Sequence, residues 1–103
     1  MQDDRRDSPR IKCNIYAHIF YEQYIFSGRI LDLSSWGARI KSSGRLEDYE
    51  YLRINFILDR EYVVMAYLVE KIERDEYRVK FTFRNIADGL GLKYAIESKS
   101  TIA

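Results

Sequence analysis

The chain has 103 residues, of which 47% are hydrophobic and 32% charged, and this composition fits one globular domain that can bury a core. Its 17 basic and 16 acidic side chains give a formal net charge of +1, whereas general nucleic-acid binders usually carry a clear basic excess. A single cysteine excludes an internal disulfide, no apolar run approaches the roughly 18 residues of a membrane-spanning helix, and the charged N-terminus lacks a signal peptide, so we expect a cytoplasmic protein without membrane insertion.

The first half of the chain predicts three strands. Ile11–Phe20 alternates apolar and polar side chains, which indicates a strand because successive side chains of a strand point to opposite faces. Tyr24–Leu33 predicts a second strand with Gly28 inside it, and an interior glycine marks either a bulge or a close backbone approach. Ala38–Lys41 predicts a short third strand after a break at residues 34–37.

The second half predicts three more strands, separated by short charged turns. They are Tyr51–Leu58, Tyr62–Ile72 and Tyr77–Phe83. Six strands with short connections favour an antiparallel sheet that closes into a small barrel.

The tail predicts a short C-terminal helix. Ile86, Leu90 and Tyr94 recur at helical spacing, and Asn85 is a candidate cap. Gly89 and Gly91 oppose the helix by about 1 kcal/mol each relative to alanine, which leaves its start open. The expected fold is therefore mostly β, a six-stranded antiparallel β-barrel with a short C-terminal α-helix.

Few residues are candidates for catalysis. Cys13 and His18 are the only residues of their kinds, and their odd separation on one strand places them on opposite faces, where they cannot form a nucleophile and its base. One cysteine and one histidine also argue against a zinc site. Carboxylates are scattered over the turns and no Walker-type loop is present, so we expect no enzymatic activity, no metal and no cofactor.

Two short patterns flank the first predicted hairpin. Arg6 and Arg10 form an Arg-x-x-x-Arg pair just before the first strand. Asp32, Ser34 and Gly37 form Asp-x-Ser-x-x-Gly at the end of the second strand. Because the hairpin runs out and back between them, both patterns should return to the same end of the barrel.

Each pattern is common by itself. Aspartate, serine and glycine occur in many turns, and Arg-x-x-x-Arg recurs at Arg74 and Arg78, where it straddles an ordinary turn. In this order, at this spacing and in a chain of this length, the two patterns together resemble a PilZ domain. The resemblance covers nearly the whole chain, and the alternating YRVKF stretch before a terminal helix also fits that family.

The resemblance implies a receptor for cyclic di-GMP, a bacterial second messenger with two guanines and two phosphodiesters. By that resemblance Arg6 and Arg10 would bind phosphate and guanine O6 and N7, and would stack on the bases. Asp32 would accept hydrogen bonds from a guanine donor edge, Ser34 would bond a phosphate or the base, and Gly37 would allow close approach of the ligand.

Three neighbouring residues are further candidates. Arg5 precedes the arginine pair, and in the family an arginine there tends to accompany two stacked ligands; an exposed charge is the equal alternative. Trp36 either stacks on a base or covers the barrel end, and the covering role is favoured. Arg39 either adds positive field beside the loop or is simply solvated.

The predicted organisation is a flexible arginine-containing arm, residues 1–10, followed by the PilZ-like barrel and helix, residues 11–103. Ligand would order the arm on the barrel and create a surface for an unidentified effector protein, in motility or exopolysaccharide regulation. Two alternatives stay open: a PilZ-like adaptor that binds only protein, and a small barrel that binds single-stranded nucleic acid through its tyrosines.

Overall fold

The computed structural model describes residues 10–46, 51–83 and 86–102. These residues form six strands and one helix: β1 (Arg10–Tyr21), β2 (Tyr24–Ser34), β3 (Gly37–Ser42), β4 (Tyr51–Ile57), β5 (Glu61–Glu73), β6 (Glu76–Thr82) and α1 (Ile86–Ile102). Arg10, predicted as the end of the arm, is the first residue of β1, and the rest of the predicted arm lies outside the described residues.

The strands form a closed antiparallel barrel in the order β1–β2–β3–β6–β5–β4, which confirms the predicted fold. Residues 17–20 of β1 pair with residues 53–56 of β4 and close the barrel. β3 is hydrogen-bonded to β6, which lies far from it in sequence. One end of the barrel therefore collects the start of β1, the end of β2, the start of β3 and the end of β6.

β1 and β2 each carry an irregularity near this end. Lys12 pairs with Asp32 and Ile15 with Ile30, so β1 carries one extra residue between these pairs. β2 carries its own extra residue between Ile30 and Asp32 in its pairing with β3. Bulges of this kind increase the local twist and redirect side chains, and they are frequent beside binding sites.

Gly28 allows a close approach of neighbouring chain segments, one of the two roles predicted for it. A Cβ atom there would lie 2.5 Å from the carbonyl oxygen of Lys41 and 2.6 Å from Cδ1 of Ile19. No register shift falls at Gly28 in either strand pairing. The glycine is therefore explained by packing rather than by a bulge.

The core fills the barrel and continues under α1. On the helix, Leu92, Ala95 and Ile96 are buried against the end of the barrel that carries the start of β1. Tyr62, at the start of β5, donates its hydroxyl proton to Oδ1 of Asp59 at 2.9 Å, and the same hydroxyl oxygen lies 3.4 Å from the carbonyl oxygen of Gly91, so the helix lies against that end. Within the part of the chain that the structure describes, no helix is long and apolar enough to cross a membrane.

Two of the residues that predict the helix, Leu90 and Tyr94, do not lie on its buried face. Leu90 and Tyr94 are 40% and 62% exposed, and the candidate cap Asn85 lies outside the described residues. Apolar side chains occur on more than one side of α1, so their spacing identified a helix without identifying which side packs on the barrel.

Candidate functional site

The structure brings the described residues of the two sequence patterns together at one end of the barrel. Arg10 pairs in register with Ser34, at the point where β1 begins and β2 ends. The guanidinium Nη1 of Arg10 lies 3.5 Å from Oδ2 of Asp32. Arg5 and Arg6 lie outside the described residues, so their roles stay predictions.

Among the described residues, two weak contacts hold Arg10 at the surface. Besides Asp32, its guanidinium lies over the indole ring of Trp36, 5.6 Å from the ring centroid. A partly exposed ion pair contributes at most about 1 kcal/mol, and an exposed cation–π contact about 0.5–1 kcal/mol. The two contacts place Arg10 beside an aromatic ring and a carboxylate, but they stabilise this position only weakly. Charge-assisted hydrogen bonds to a bound anion would contribute more and could replace them.

Ser34 stabilises the turn between β2 and β3. Its hydroxyl is buried, donates to the carbonyl oxygen of Gly37 at 3.2 Å and accepts from the backbone N–H of Trp36 at 3.4 Å. The side chain thus fixes the shape of the loop that carries Trp36 and Gly37. A direct bond from Ser34 to a phosphate or base stays a prediction.

Gly37 is required by the neighbouring strand. A Cβ atom there would lie 2.6 Å from the carbonyl oxygen of Val79 in β6, and no described glycine has a positive φ. Gly37 is therefore needed for the close packing of β3 on β6, and a close approach of the ligand to it stays a prediction. The same turn is tied to β6 by the N–H of Phe81, which donates to the carbonyl oxygen of Trp36 at 2.8 Å.

Arg78, which the sequence patterns do not mark as a site residue, reaches the site from β6. Together with Arg10, Asp32, Trp36 and Gly37 it lines a small space at this end of the barrel. The alternation of side chains along β6 predicts that Arg78 faces outward, but only the pairing of β3 with β6 brings it beside the β2–β3 turn. Arg39, a predicted candidate, pairs directly with Arg78 across these strands and lies 3.8 Å from Glu76.

The space between these side chains is too small to hold a nucleotide. It amounts to about 10 Å³, so a ligand must lie over Arg10, Trp36 and Arg78 or displace them. A wider cleft of about 600 Å³ opens on the other side of Arg10, where Lys12 and Lys99 also contribute cations. Positive charge therefore borders Arg10 on both sides.

Cys13 and His18 lie on opposite faces of β1, as predicted. Cys13 is half-buried against the core and its thiol donates to the carbonyl oxygen of Ile30 at 3.4 Å. His18 is exposed, with its Nε2 3.4 Å from the hydroxyl of Tyr16. Among the described residues no three His, Cys, Asp or Glu side chains are grouped so as to hold a metal ion.

The thiol of Cys13 should react slowly with alkylating reagents. Burial, followed by the negative charge of Asp32, raises its pKa above the ordinary value for cysteine, to about 11. The reactive thiolate is therefore scarce in the folded chain below about pH 10 and increases as the pH rises towards 11. Because Cys13 is the chain's only cysteine, the rate of iodoacetamide modification against pH measures this pKa directly.

Urea provides the control for that measurement. In the unfolded chain the midpoint of the rate profile should return to about 8.5, the ordinary value for cysteine. A folded chain whose midpoint already lies near 8.5 would contradict the burial of the thiol.

The chain matches the family model for the PilZ domain over residues 4–94. This match covers most of the chain and includes both sequence patterns. The chain therefore belongs to the PilZ family. No curated protein matches it significantly.

Two solved structures share the fold at low sequence identity. The PilZ domain of CeSA from a cellulose-synthesizing bacterium is 20% identical, with a TM-score of 0.72 over 88% of this chain and 97% of that one. The Bacillus subtilis inhibitor of motility, MotI/DgrA, is 15% identical, with a TM-score of 0.77 over 98% of this chain. The match spans 53% of the inhibitor's length, so this chain corresponds to one part of that longer protein.

Proposed function

We propose that this PilZ domain is a receptor for cyclic di-GMP that passes the signal to a partner protein. The observation that carries the proposal is the meeting of Arg10 with Asp32, 3.5 Å apart, at the positions of the two patterns within a chain that matches the family model. A cation and a carboxylate side by side suit a ligand that has both phosphates and guanine donor edges.

The chemistry divides between the charged residues. Arg10, together with Arg6, binds phosphate or the O6 and N7 acceptors of guanine, because a guanidinium offers parallel N–H donors. Asp32 accepts from the guanine N1–H and N2–H groups. Trp36 offers an indole face beside Arg10, suited to stacking or to covering the ligand.

Ligand binding also supplies the proposed signal. Arg5 and Arg6 precede β1, so a ligand that they share with Asp32 draws this segment onto the barrel end. The ordered segment and the ligand together form a surface that a partner protein reads. The names of the two similar structures suggest exopolysaccharide synthesis or motility as the process regulated.

Isothermal titration with cyclic di-GMP tests the proposal. The wild-type chain should bind with micromolar or tighter affinity, and Arg6→Ala should lose most of that affinity because it removes a charge-assisted contact. Two ligands per chain would support the role of Arg5 in a stacked pair, whereas one would oppose it. No binding by the wild-type chain would overturn the receptor proposal and favour the adaptor that binds only protein.

A further inference from the structure

An arginine pair lies beside the proposed site on the strands β3 and β6. Arg39 and Arg78 are directly opposite each other in the antiparallel pairing, and their side chains are 42% and 43% exposed. Like charges directly opposite on a sheet are destabilising. The pairing thus concentrates positive charge on the outer face of the sheet and lowers the stability of the sheet slightly.

Each of these arginines has a carboxylate neighbour that holds it weakly. Nε of Arg78 donates to Oε1 of Glu70 at 3.3 Å, and Nε of Arg39 lies 3.8 Å from Oε1 of Glu76. The Glu70 side chain is 58% exposed. Ion pairs of this exposure contribute about 0.2–1 kcal/mol, so an incoming anion can replace the carboxylate at little cost.

Arg78 also borders the ligand site itself. It lines the same small space as Arg10, Asp32 and Trp36, which it enters from the side of β6. Arg10 enters that space from β1, on the opposite side of the β2–β3 turn. The turn is therefore flanked by a guanidinium on each side.

We propose that Arg78 is a further ligand-binding residue, which binds a phosphodiester of the dinucleotide, and that Glu70 competes with the ligand for it. This inference rests on the proposed function. A phosphodiester carries a full negative charge and can accept two parallel N–H bonds from a guanidinium. The contact with Glu70 uses only the Nε–H donor of Arg78, so other N–H donors of this guanidinium can bind the phosphodiester. Ligand binding thus exchanges the Arg78–Glu70 pair for an Arg78–phosphate pair.

Titration of matched variants with cyclic di-GMP tests the exchange. Arg78→Gln should bind about tenfold more weakly or worse, as expected for the loss of a hydrogen bond to a charged group. Glu70→Gln should bind about two- to fivefold more tightly, because it removes the competing carboxylate. Arg74→Gln is the control, because Arg74 is an exposed arginine of the β5–β6 turn, at the other end of the barrel. This variant should bind cyclic di-GMP with the affinity of the wild type.

The opposite signs of the two effects separate a ligand contact from a structural role. If Arg78→Gln and Glu70→Gln both weaken binding, the two residues act as a structural pair and the inference is wrong. Unchanged affinity in Arg78→Gln, beside a wild-type chain that binds, overturns the inference and leaves the receptor proposal standing. No binding by the wild-type chain overturns the receptor proposal, and this inference with it.

Discussion

Asp32→Asn should weaken cyclic di-GMP binding by about 100-fold or more while the chain stays folded. The carboxylate can accept from both the N1–H and N2–H groups of guanine, and a hydrogen bond to a charged group is worth about 1.5–3 kcal/mol. An asparagine of the same shape offers one acceptor and sets its own N–H donors against the other guanine donor. Titration calorimetry measures the loss, and thermal unfolding checks the fold.

The selectivity of the variant tests the same contact independently of overall affinity. The edge of adenine presents one acceptor and one donor, which an asparagine amide complements better than a carboxylate does. The ratio of affinities for cyclic di-GMP and cyclic di-AMP should therefore fall in Asp32→Asn.

Asp75→Asn is the matched control for Asp32→Asn. Asp75 is a carboxylate of the β5–β6 turn, 3.8 Å from Lys41, at the other end of the barrel. Its substitution should change neither affinity nor selectivity. Equal losses in Asp32→Asn and Asp75→Asn would show that general negative charge matters and that Asp32 has no contact with guanine.

The strands and the meeting of the two patterns could be predicted because both depend on local regularities. Alternation along Ile11–Phe20 sets the faces of β1, and the antiparallel hairpin necessarily returns Asp32 to Arg10. For Gly28 inside β2 the sequence left a bulge and a close approach as alternatives, and the structure shows the close approach. These features require only the period of the side chains and the length of one turn.

The rest of the site depends on pairings between distant parts of the chain. Arg78 lies at the site because β6 crosses over to pair with β3, and the sequence around Arg78 contains nothing that specifies its neighbour strand. The close contact of Gly37 with the backbone of Val79 depends on the same pairing and could not be predicted from the turn sequence. The burial of the Ser34 hydroxyl and its bond to Gly37 could not be predicted either, because a serine beside a turn has the same sequence whether its hydroxyl is buried or exposed.

The spacing of apolar residues in α1 predicts a helix but not the side of it that packs on the barrel. Its apolar residues occupy several sides, and the barrel end decides which of them are covered. The side that packs, with Leu92 and Ile96, is offset from the side that the spacing of Leu90 and Tyr94 suggested. Since this helix covers the end of the barrel that carries Arg10, its packing also supports the site.

Ile96→Ala should lower the free energy of unfolding by roughly 2–5 kcal/mol, which is a large share of the stability of a small domain. Ile96 is fully buried in the core under α1, so alanine leaves a cavity as well as removing apolar contacts. In a domain of this size the melting temperature should fall by at least about 10 °C. Urea unfolding followed by circular dichroism measures the change at equilibrium.

Tyr94→Ala on the same helix should alter the free energy of unfolding by no more than about 0.5 kcal/mol, although it removes a larger side chain. Tyr94 is exposed, so its truncation opens no cavity. Both variants place alanine, the best helix former, on α1, so the contrast between them reports burial rather than helix propensity. A Tyr94→Ala variant as unstable as Ile96→Ala would mean that α1 packs by the opposite face, and that the end of the barrel under Arg10 is built differently.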